Sequence, residues 1–384
     1  MRRLLIISLL SGLMLFALAL WLQEPAQLDA LSSSALISTS QIDGFARADH
    51  PRSFSFPTDY GPHPDFQTEW WYYTGNLISA EGQHFGYQLT FFRRGLLPQD
   101  QIVARDSAWG SSQIYMAHFA LTNTQTEQHW AFERFSREGA NLAGAEGDPL
   151  RVWLENWSLE AIGPETYHLI AAAGDLSLDL ELQNQKEPIL HGQNGLSQKG
   201  AEVGNASYYF SQTQLLSEGQ IEIGDQSFRV SGYSWMDHEF STSALGAGQV
   251  GWDWFSIQLE NGSELMLFQL RREDGQMDPF SSATFVEVDG STSHFGSADF
   301  LLEPLAEWNS SHSGASYPIQ WRIDIPEIEL SLEIQALVED QELNLSFIYW
   351  EGAVRISGLQ NGKTISGMGY IEMTGYAQSM EGQF

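Results

Sequence analysis

Residues 56–94 read FPTDYGPHPDFQTEWWYYTGNLISAEGQHFGYQLTFFRR and carry the clearest structural signal in the chain. Two aromatic runs, Glu69–Leu77 and Phe85–Phe92, flank a short turn at Gly82. Two strand-like runs that are joined by a short glycine turn predict a β-hairpin. Both faces of this hairpin carry aromatic side chains, so each face must be covered or must line an interior cavity. The stretch therefore predicts a β-barrel with a ligand-binding mouth.

The polar segment 59–69 leads into the first strand and places Glu69 where such a cavity would open. Side chains alternate along a strand, so Trp71 and Tyr73 share the face of Glu69 and Trp70 lies on the other. A carboxyl group among aromatic rings can carry a proton or hold a polar group of a ligand. The alternative for Trp70 is a packing residue that closes the barrel. We take Glu69, Trp70, Trp71 and Tyr73 as candidate ligand-binding residues.

The rest of the chain repeats this pattern. Alternating runs bounded by Gly, Asn or Asp recur roughly every ten to fifteen residues, which is typical of an all-β protein. The sequence from Trp70 through Gly82 to Arg94 has a second copy from Trp252 through Gly262 to Arg272. Each copy has an aromatic strand, a glycine turn and a strand that ends in Arg-Arg. This internal repeat predicts two consecutive antiparallel β-barrels, in domains 51–240 and 241–384.

The N-terminus predicts export. Arg2 and Arg3 precede an apolar run, Leu4–Leu22, as in a secretory signal, and the run is nearly long enough to span a membrane. We expect residues 1–22 to be a signal peptide or membrane anchor and residues 23–50 to be a linker. The folded part would then lie outside the cytoplasmic membrane, in the periplasm or secreted, with or without an N-terminal anchor.

Composition excludes several classes of function. The formal net charge is −31, which opposes binding to nucleic acid or to anionic lipid surfaces. The chain has no cysteine, so thiol catalysis and disulfides are excluded. It has no nucleophile elbow, phosphate-binding glycine loop, calcium loop or zinc-ligand spacing. We therefore expect neither a metal nor a cofactor.

The densest ionisable cluster follows Trp235 and comprises Asp237, His238 and Glu239. In a strand the two carboxylates would face one side and His238 the other. Burial beside aromatic rings would raise the pKa of a carboxyl group and make it a proton donor at the junction of the two barrels. We expect His238 and at least one of Asp237 and Glu239 to turn inward at this junction, beside a pocket that aromatic residues line. The alternative is a polar network that only orients the domains.

The second copy of the repeat carries an acidic residue between two tryptophans, Trp252, Asp253 and Trp254. We include all three among the candidate ligand-binding residues, together with Trp235. For Asp253, the alternative is a side chain that points outward or forms an ion pair with one of the Arg-Arg pairs.

Five sequence words resemble the carotenoid 1,2-hydratase (hydroxyneurosporene synthase) family and its AttH-type relatives, which are often labelled secreted hydrolases. The words are GPHP at 61–64, TEWWYYTG at 68–75, FGYQLTFFR at 85–93, GYSWMDHEF at 232–240 and GWDWF at 251–255. They occur in the order of the family, and the resemblance covers roughly residues 50–380. It implies two lipocalin-like β-barrels.

The resemblance also implies a functional histidine, which here is His238. The family places a tryptophan two residues later, where this chain has Phe240, and the Tyr-x-Asp word of the family has no counterpart near Phe268. AttH-type relatives further imply an ABC-transporter permease as a partner.

Two classes of function follow. The first is an exported protein that binds an apolar ligand, a lipid or an isoprenoid. The second is a cofactor-free hydratase in which Asp237, His238 or Glu239 protonates an isolated double bond and nearby tryptophans stabilise the carbocation. A hydrolase is a third possibility, which rests only on the label given to the relatives.

Overall fold

The computed structural model describes residues 43–102, 110–242 and 245–381. The described part of the protein is all-β, with 62% of the described residues in strands. Within the described ranges there is no α-helix, and the helical elements are short 3₁₀ turns at Thr58–Tyr60, Gln99–Gln101, Gly139–Asn141 and Pro326–Ile328.

The first sheet is antiparallel, nearly closes into a barrel, and follows the order β4-β3-β2-β1-β13-β12-β9-β8-β7-β6-β5, with β10 and β11 paired to β12. Its strands are β1 Thr68–Ser79, β2 His84–Gly95, β3 Gln113–Asn123, β4 Gln128–Arg137, β5 Ala143–Gly147, β6 Leu150–Leu154, β7 Trp157–Gly163, β8 Thr166–Ala173, β9 Leu176–Asn184, β10 Ile189–Leu190, β11 Leu196–Gln198, β12 Ala206–Ile223 and β13 Gln226–Ser241.

The second sheet is a half barrel with the order β17-β16-β15-β14-β23-β22-β20-β19-β18, and β21 pairs with β22. Its strands are β14 Gln249–Leu259, β15 Glu264–Arg272, β16 Ser282–Val286, β17 Thr292–Gly296, β18 Leu301–Asn309, β19 Ser316–Ile325, β20 Leu330–Ala336, β21 Glu342–Asn344, β22 Ile348–Gln360 and β23 Lys363–Met373.

Each copy of the repeat forms the first hairpin, in chain order, of one sheet. Strands β1 and β2 form the predicted hairpin of the first sheet, and β14 and β15 form the corresponding hairpin of the second. The prediction of an all-β fold with two barrels is therefore confirmed. The first sheet ends at Ser241 and the second begins at Gln249.

Both faces of β1 are covered, each by a different core. Trp71, Tyr73 and Leu77 belong to the apolar interior of the first barrel, where all three are fully buried. Tyr72 belongs to a separate apolar cluster between the two sheets, and Trp70 packs against it. Alternation along one strand thus supplies both the barrel core and the junction between the barrels.

The two sheets approach each other closely at this junction. A Cβ atom on Gly86 of β2 would lie 2.6 Å from the Cβ atom of Ala353 on β22, so the contact requires a residue without a side chain. The junction is also polar. Lys186 pairs with Glu264 at 2.8 Å, and the amide of Gln258 donates to the backbone oxygen of Thr213 at 2.7 Å.

The predicted signal or anchor, residues 1–22, lies outside the described residues, and so does most of the predicted linker. The last part of that linker differs from the prediction, because Phe45 and Ala48 are buried against the first barrel and Phe45 packs on Gly95. No helix in the described ranges has the length and apolarity needed to cross a membrane.

Candidate functional site

A cavity of about 150 Å³ lies between the two barrels. Nine of its 22 lining residues are Trp, Tyr or Phe, and five charged or titratable side chains, three acidic and two basic, reach it from three strands and one loop. The cavity is lined by Thr68, Trp70, Tyr72, Phe92, His118, Lys199, Ala206, Ser207, Tyr209, Asp237, Glu239, Ser241, Leu245, Trp252, Trp254, Phe268, Leu270, Phe347, Tyr349, Glu372, Thr374 and Met380.

Asp237 on β13 is the most strongly organised acid of this cavity. Its carboxyl group accepts hydrogen bonds from the Tyr209 hydroxyl, the Ser211 hydroxyl and, at 2.6 Å, the Trp235 indole nitrogen. Burial is the largest influence and raises the pKa of Asp237 to about 7, against the effect of these three donors. A carboxyl group with this pKa exists in both protonation states near neutral pH, as a general acid requires.

A second acid, Glu372 on β23, reaches the cavity from the other barrel. The Trp252 indole nitrogen donates a hydrogen bond to its carboxyl group at 2.9 Å. Burial, followed by the nearby negative charges of Asp237 and Glu239, raises the pKa of Glu372 to about 7. The cavity therefore contains two carboxyl groups that can exchange the roles of acid and base.

The third acid differs because it has a cationic partner. Glu239 forms an ion pair with Lys199 at 3.3 Å and accepts a hydrogen bond from the Ser207 hydroxyl. The Lys199 ammonium group also lies 3.8 Å from the centre of the Phe268 ring, in a cation–π contact. This pair places a fixed charge of each sign at one edge of the cavity.

His238 does not reach the cavity, although it lies between two residues that do. Strand alternation turns it into the first barrel, where its Nε2 atom lies 2.8 Å from Glu69. The expectation that His238 faces the junction is therefore wrong, and the alternation of its neighbours is the reason. Burial lowers the pKa of His238 and favours the neutral ring, although Glu69 opposes this.

Glu69 is the centre of a buried ionic network in the first barrel. Arg93 bonds its carboxylate at 2.8 Å, and both the ring and the backbone amide of His63 contact it. Burial opposes the charged form, but Arg93, His238 and His63 together lower the pKa of Glu69 well below its usual range. Hydrogen bonds to Asp59 and Glu69 outweigh burial and raise the pKa of His63.

Three groups of this network, His63, Glu69 and His238, offer ligand atoms within 4.8 Å of one another and could hold a metal ion. Arg93 binds the same carboxylate, and its fixed positive charge would repel a cation at that distance. The charges already balance without a metal, so we interpret the cluster as an ion-pair network.

The structure separates the candidate residues into three groups. The cavity is lined by Trp70, Asp237, Glu239, Trp252 and Trp254. Trp235 does not line it but donates a hydrogen bond to Asp237. Those inside the first barrel are Glu69, Trp71, Tyr73 and His238.

Asp253 forms the third group. It is buried apart from the cavity and pairs with Arg271 at 3.0 Å. This is the ion pair with an Arg-Arg pair that the sequence offered as the alternative.

Sequence reasoning missed Glu372, Tyr209 and Lys199. Glu372 lies near the end of the last strand, Lys363–Met373, where a single acidic residue carries no distinguishing signal. Tyr209 lies in the run AsnAlaSerTyrTyrPhe at 205–210, an aromatic word that could have been identified as a strand beside the cavity. Lys199 is one of few basic residues in an acidic chain, and that rarity was the available signal.

The raised pKa values predict how stability depends on pH. Asp237, Glu372 and Glu264 each have a folded-state pKa of about 7, so these three groups bind more protons in the folded protein than in the unfolded chain between about pH 4 and 7. Their contribution to the free energy of unfolding therefore falls as pH rises through this range, whereas buried histidines with lowered pKa, such as His84 and His129, contribute in the opposite direction. Urea unfolding of wild type and Glu372→Gln at several pH values isolates the contribution of Glu372, and the difference between the two proteins should fall from pH 5 to 7. A difference that rises over this range would contradict the assignment.

Comparisons with known proteins agree with this architecture. A family model described as AttH-like matches residues 47–376. The structure of a protein described as an AttH (NE1406), from Nitrosomonas europaea, is 32% identical, has a TM-score of 0.77 and covers 86% of this chain and 100% of its own.

Two proteins with lower identity are named as a hydratase and a dehydratase. Kievitone hydratase from Nectria haematococca is 13% identical, with a TM-score of 0.66 over 87% of this chain and 96% of its own, which shows likeness of fold alone. Dehydratase asqC from Emericella nidulans is 20% identical over 210 residues, or 52% of this chain and 58% of the relative. The chain thus spans little more than half of that curated relative. By the family match over most of its length, this protein belongs to the AttH-like family.

Proposed function

We propose that this protein is a cofactor-free hydro-lyase, which adds water to a double bond of a largely apolar substrate or removes it. The observation that carries the proposal is the carboxyl group of Asp237, which opens into an aromatic cavity and is held there by three hydrogen-bond donors. The likeness to a hydratase and a dehydratase supports it.

The reaction would use the two carboxyl groups of the cavity. Protonated Asp237 transfers its proton to one carbon of the double bond, and the other carbon becomes a carbocation. Aromatic rings such as those of Trp70 and Trp254 stabilise the cation by about 2 kcal/mol per desolvated ring. Water forms a C–O bond with the cation, and its excess proton passes to the Glu372 carboxylate. The product is an alcohol, and the reverse sequence is dehydration.

His238 would act through its strand rather than on the substrate. Its hydrogen bond to Glu69 fixes β13 at the position between Asp237 and Glu239. We therefore assign it as a positioning residue, and Glu239 with Lys199 as the pair that orients a polar end of the substrate.

The test begins with ligand identification. The purified protein is extracted with organic solvent, bound molecules are identified by mass spectrometry, and the recovered compound is incubated with fresh protein in ¹⁸O-labelled water. A hydro-lyase should place ¹⁸O in the alcohol at a rate proportional to protein concentration. Bound ligand that takes up label no faster with the protein than without it would refute catalysis.

That negative result would favour the second candidate, an exported binding protein for a lipid or isoprenoid. The aromatic wall of the cavity is the observation that favours it. Export and association with an ABC-transporter permease would then belong to its function. A reporter fused after Leu31 that is active only in the cytoplasm would exclude export.

A further inference from the structure

Asp237 needs a supply of protons if it acts as proposed, and this inference rests on that proposed function. Each hydration leaves Asp237 as a carboxylate, while the proton from water resides on Glu372. Only 4% of Asp237 is exposed, and a bound substrate would occupy the cavity into which it opens. A route that does not pass through the cavity would let the acid recover its proton.

A continuous chain of hydrogen bonds leads from Asp237 to the surface. The Ser211 hydroxyl donates to Asp237 and lies 2.6 Å from Nε2 of His191. Nδ1 of His191 lies 3.0 Å from the Thr284 hydroxyl, which lies 3.1 Å from Nδ1 of His294. His294 is exposed on β17, so the chain ends at solvent.

The intermediate groups are suited to passing a proton. Ser211, His191 and Thr284 are buried, and each has an atom or pair of atoms that can accept one proton and release another. Burial holds the pKa of His191 well below its usual range, so the ring is neutral with one donor and one acceptor nitrogen.

The path also crosses from one barrel to the other. Ser211 and His191 belong to the first sheet and its loop, whereas Thr284 and His294 belong to β16 and β17 of the second. Assembly of the two barrels is therefore what completes the chain.

We propose that Asp237 is reprotonated from solvent along a proton path that runs through His294, Thr284, His191 and Ser211. One proton enters at His294 from water or buffer acid. Each intermediate group accepts one proton and releases one, and an O–H bond forms on the Asp237 carboxylate. The proton on Glu372 leaves to water when product departs, so the cycle balances without a redox step.

The most specific test is the variant Thr284→Val, because valine has nearly the shape of threonine but lacks the hydroxyl group that lies between the two histidines. It leaves the three donors to Asp237 in place. The matched control is Thr122→Val. Thr122 is equally buried, bonds His129 at 2.9 Å and Gln341 at 3.0 Å across the junction, and has no connection to Asp237.

The measurement is hydrogen–deuterium exchange of the Asp237 carboxyl group with the cavity filled by benzene as an inert probe, followed by infrared spectroscopy after mixing with D₂O below pH 7. The band is assigned by its absence from Asp237→Asn. We expect exchange to slow on the order of tenfold or more in Thr284→Val, which corresponds to ~1.4 kcal/mol in the barrier. Thr122→Val should exchange like wild type, and Thr284→Ser should restore the rate.

Equal exchange rates in wild type and Thr284→Val would overturn the proposal, because protons would then reach Asp237 through the cavity. Should Thr284→Val fail to fold, His294→Phe tests the exposed end of the path and should slow exchange in the same way. The experiment needs no substrate, so its failure is distinguishable from failure of the ¹⁸O test.

Discussion

The Asp237→Asn variant is expected to lose hydration activity by a factor of about 10²–10⁴ while keeping its fold. An amide cannot donate a proton to carbon. The fold should persist because Oδ1 of asparagine can accept from Ser211 and Trp235 while its amino group donates to the Tyr209 oxygen. Initial rates of ¹⁸O incorporation measure the loss, and urea unfolding checks the fold.

The pH profile provides a second check on the same residue. Hydration needs Asp237 protonated and Glu372 ionised, and burial raises the pKa of both carboxyl groups to about 7. The hydration rate should therefore pass through a maximum near pH 7 and fall on the alkaline side as Asp237 loses its proton. The matched control is Glu264→Gln. Burial also raises the pKa of Glu264 to about 7, but this residue pairs with Lys186 away from the cavity. Its removal should leave the position of the maximum unchanged. Near-normal activity in Asp237→Asn would instead assign the acid to Glu372.

The fold could be predicted from the sequence because its signals are local. Alternation along Glu69–Leu77 predicted which side chains share a face, and the second copy at Trp252 predicted a second sheet. These features depend on neighbouring residues in one strand, because successive side chains of a strand point to opposite faces. They can therefore be predicted without knowing how distant strands pack.

The site could be predicted only in part, because it is assembled from both sheets. Asp237 and the tryptophans were identifiable as a cluster of acids and rings. Glu372 and His191 were not, since each is an isolated polar residue whose meaning arises from a partner that is distant in sequence. Alternation predicted that Asp237 and His238 face opposite sides of one strand, but not that one side lines the cavity and the other faces the interior of the first barrel.

The Arg93→Met variant is expected to lose about 3–5 kcal/mol of unfolding free energy, the typical cost of leaving one buried charge unpaired. Arg93 is 1% exposed, bonds Glu69 at 2.8 Å, and donates to the backbone oxygens of His63 and Phe66. Methionine would replace much of its volume and none of these bonds. Urea unfolding at pH 7 measures the loss.

The control is Arg322→Met, since Arg322 forms its ion pairs with Glu303 and Glu333 at the surface and should cost less than about 1 kcal/mol. A loss as small as this in Arg93→Met would contradict the network.

The pH dependence of this loss gives the network its strictest test. The pKa of Glu69 lies well below its usual range in the folded protein, so its contribution to stability is complete above about pH 4.5 and is lost in stronger acid. Without Arg93 the pKa of Glu69 should rise, and protonation would relieve the unpaired charge. The difference in unfolding free energy between wild type and Arg93→Met should therefore be largest near neutral pH and shrink as pH falls.

Combining Arg93→Met with Glu69→Gln should recover part of the lost unfolding free energy at pH 7, because the buried charge is then absent. A chelator should leave wild-type stability unchanged, whereas a fall in stability on chelation would mean that a metal ion, and not Arg93 alone, balances Glu69.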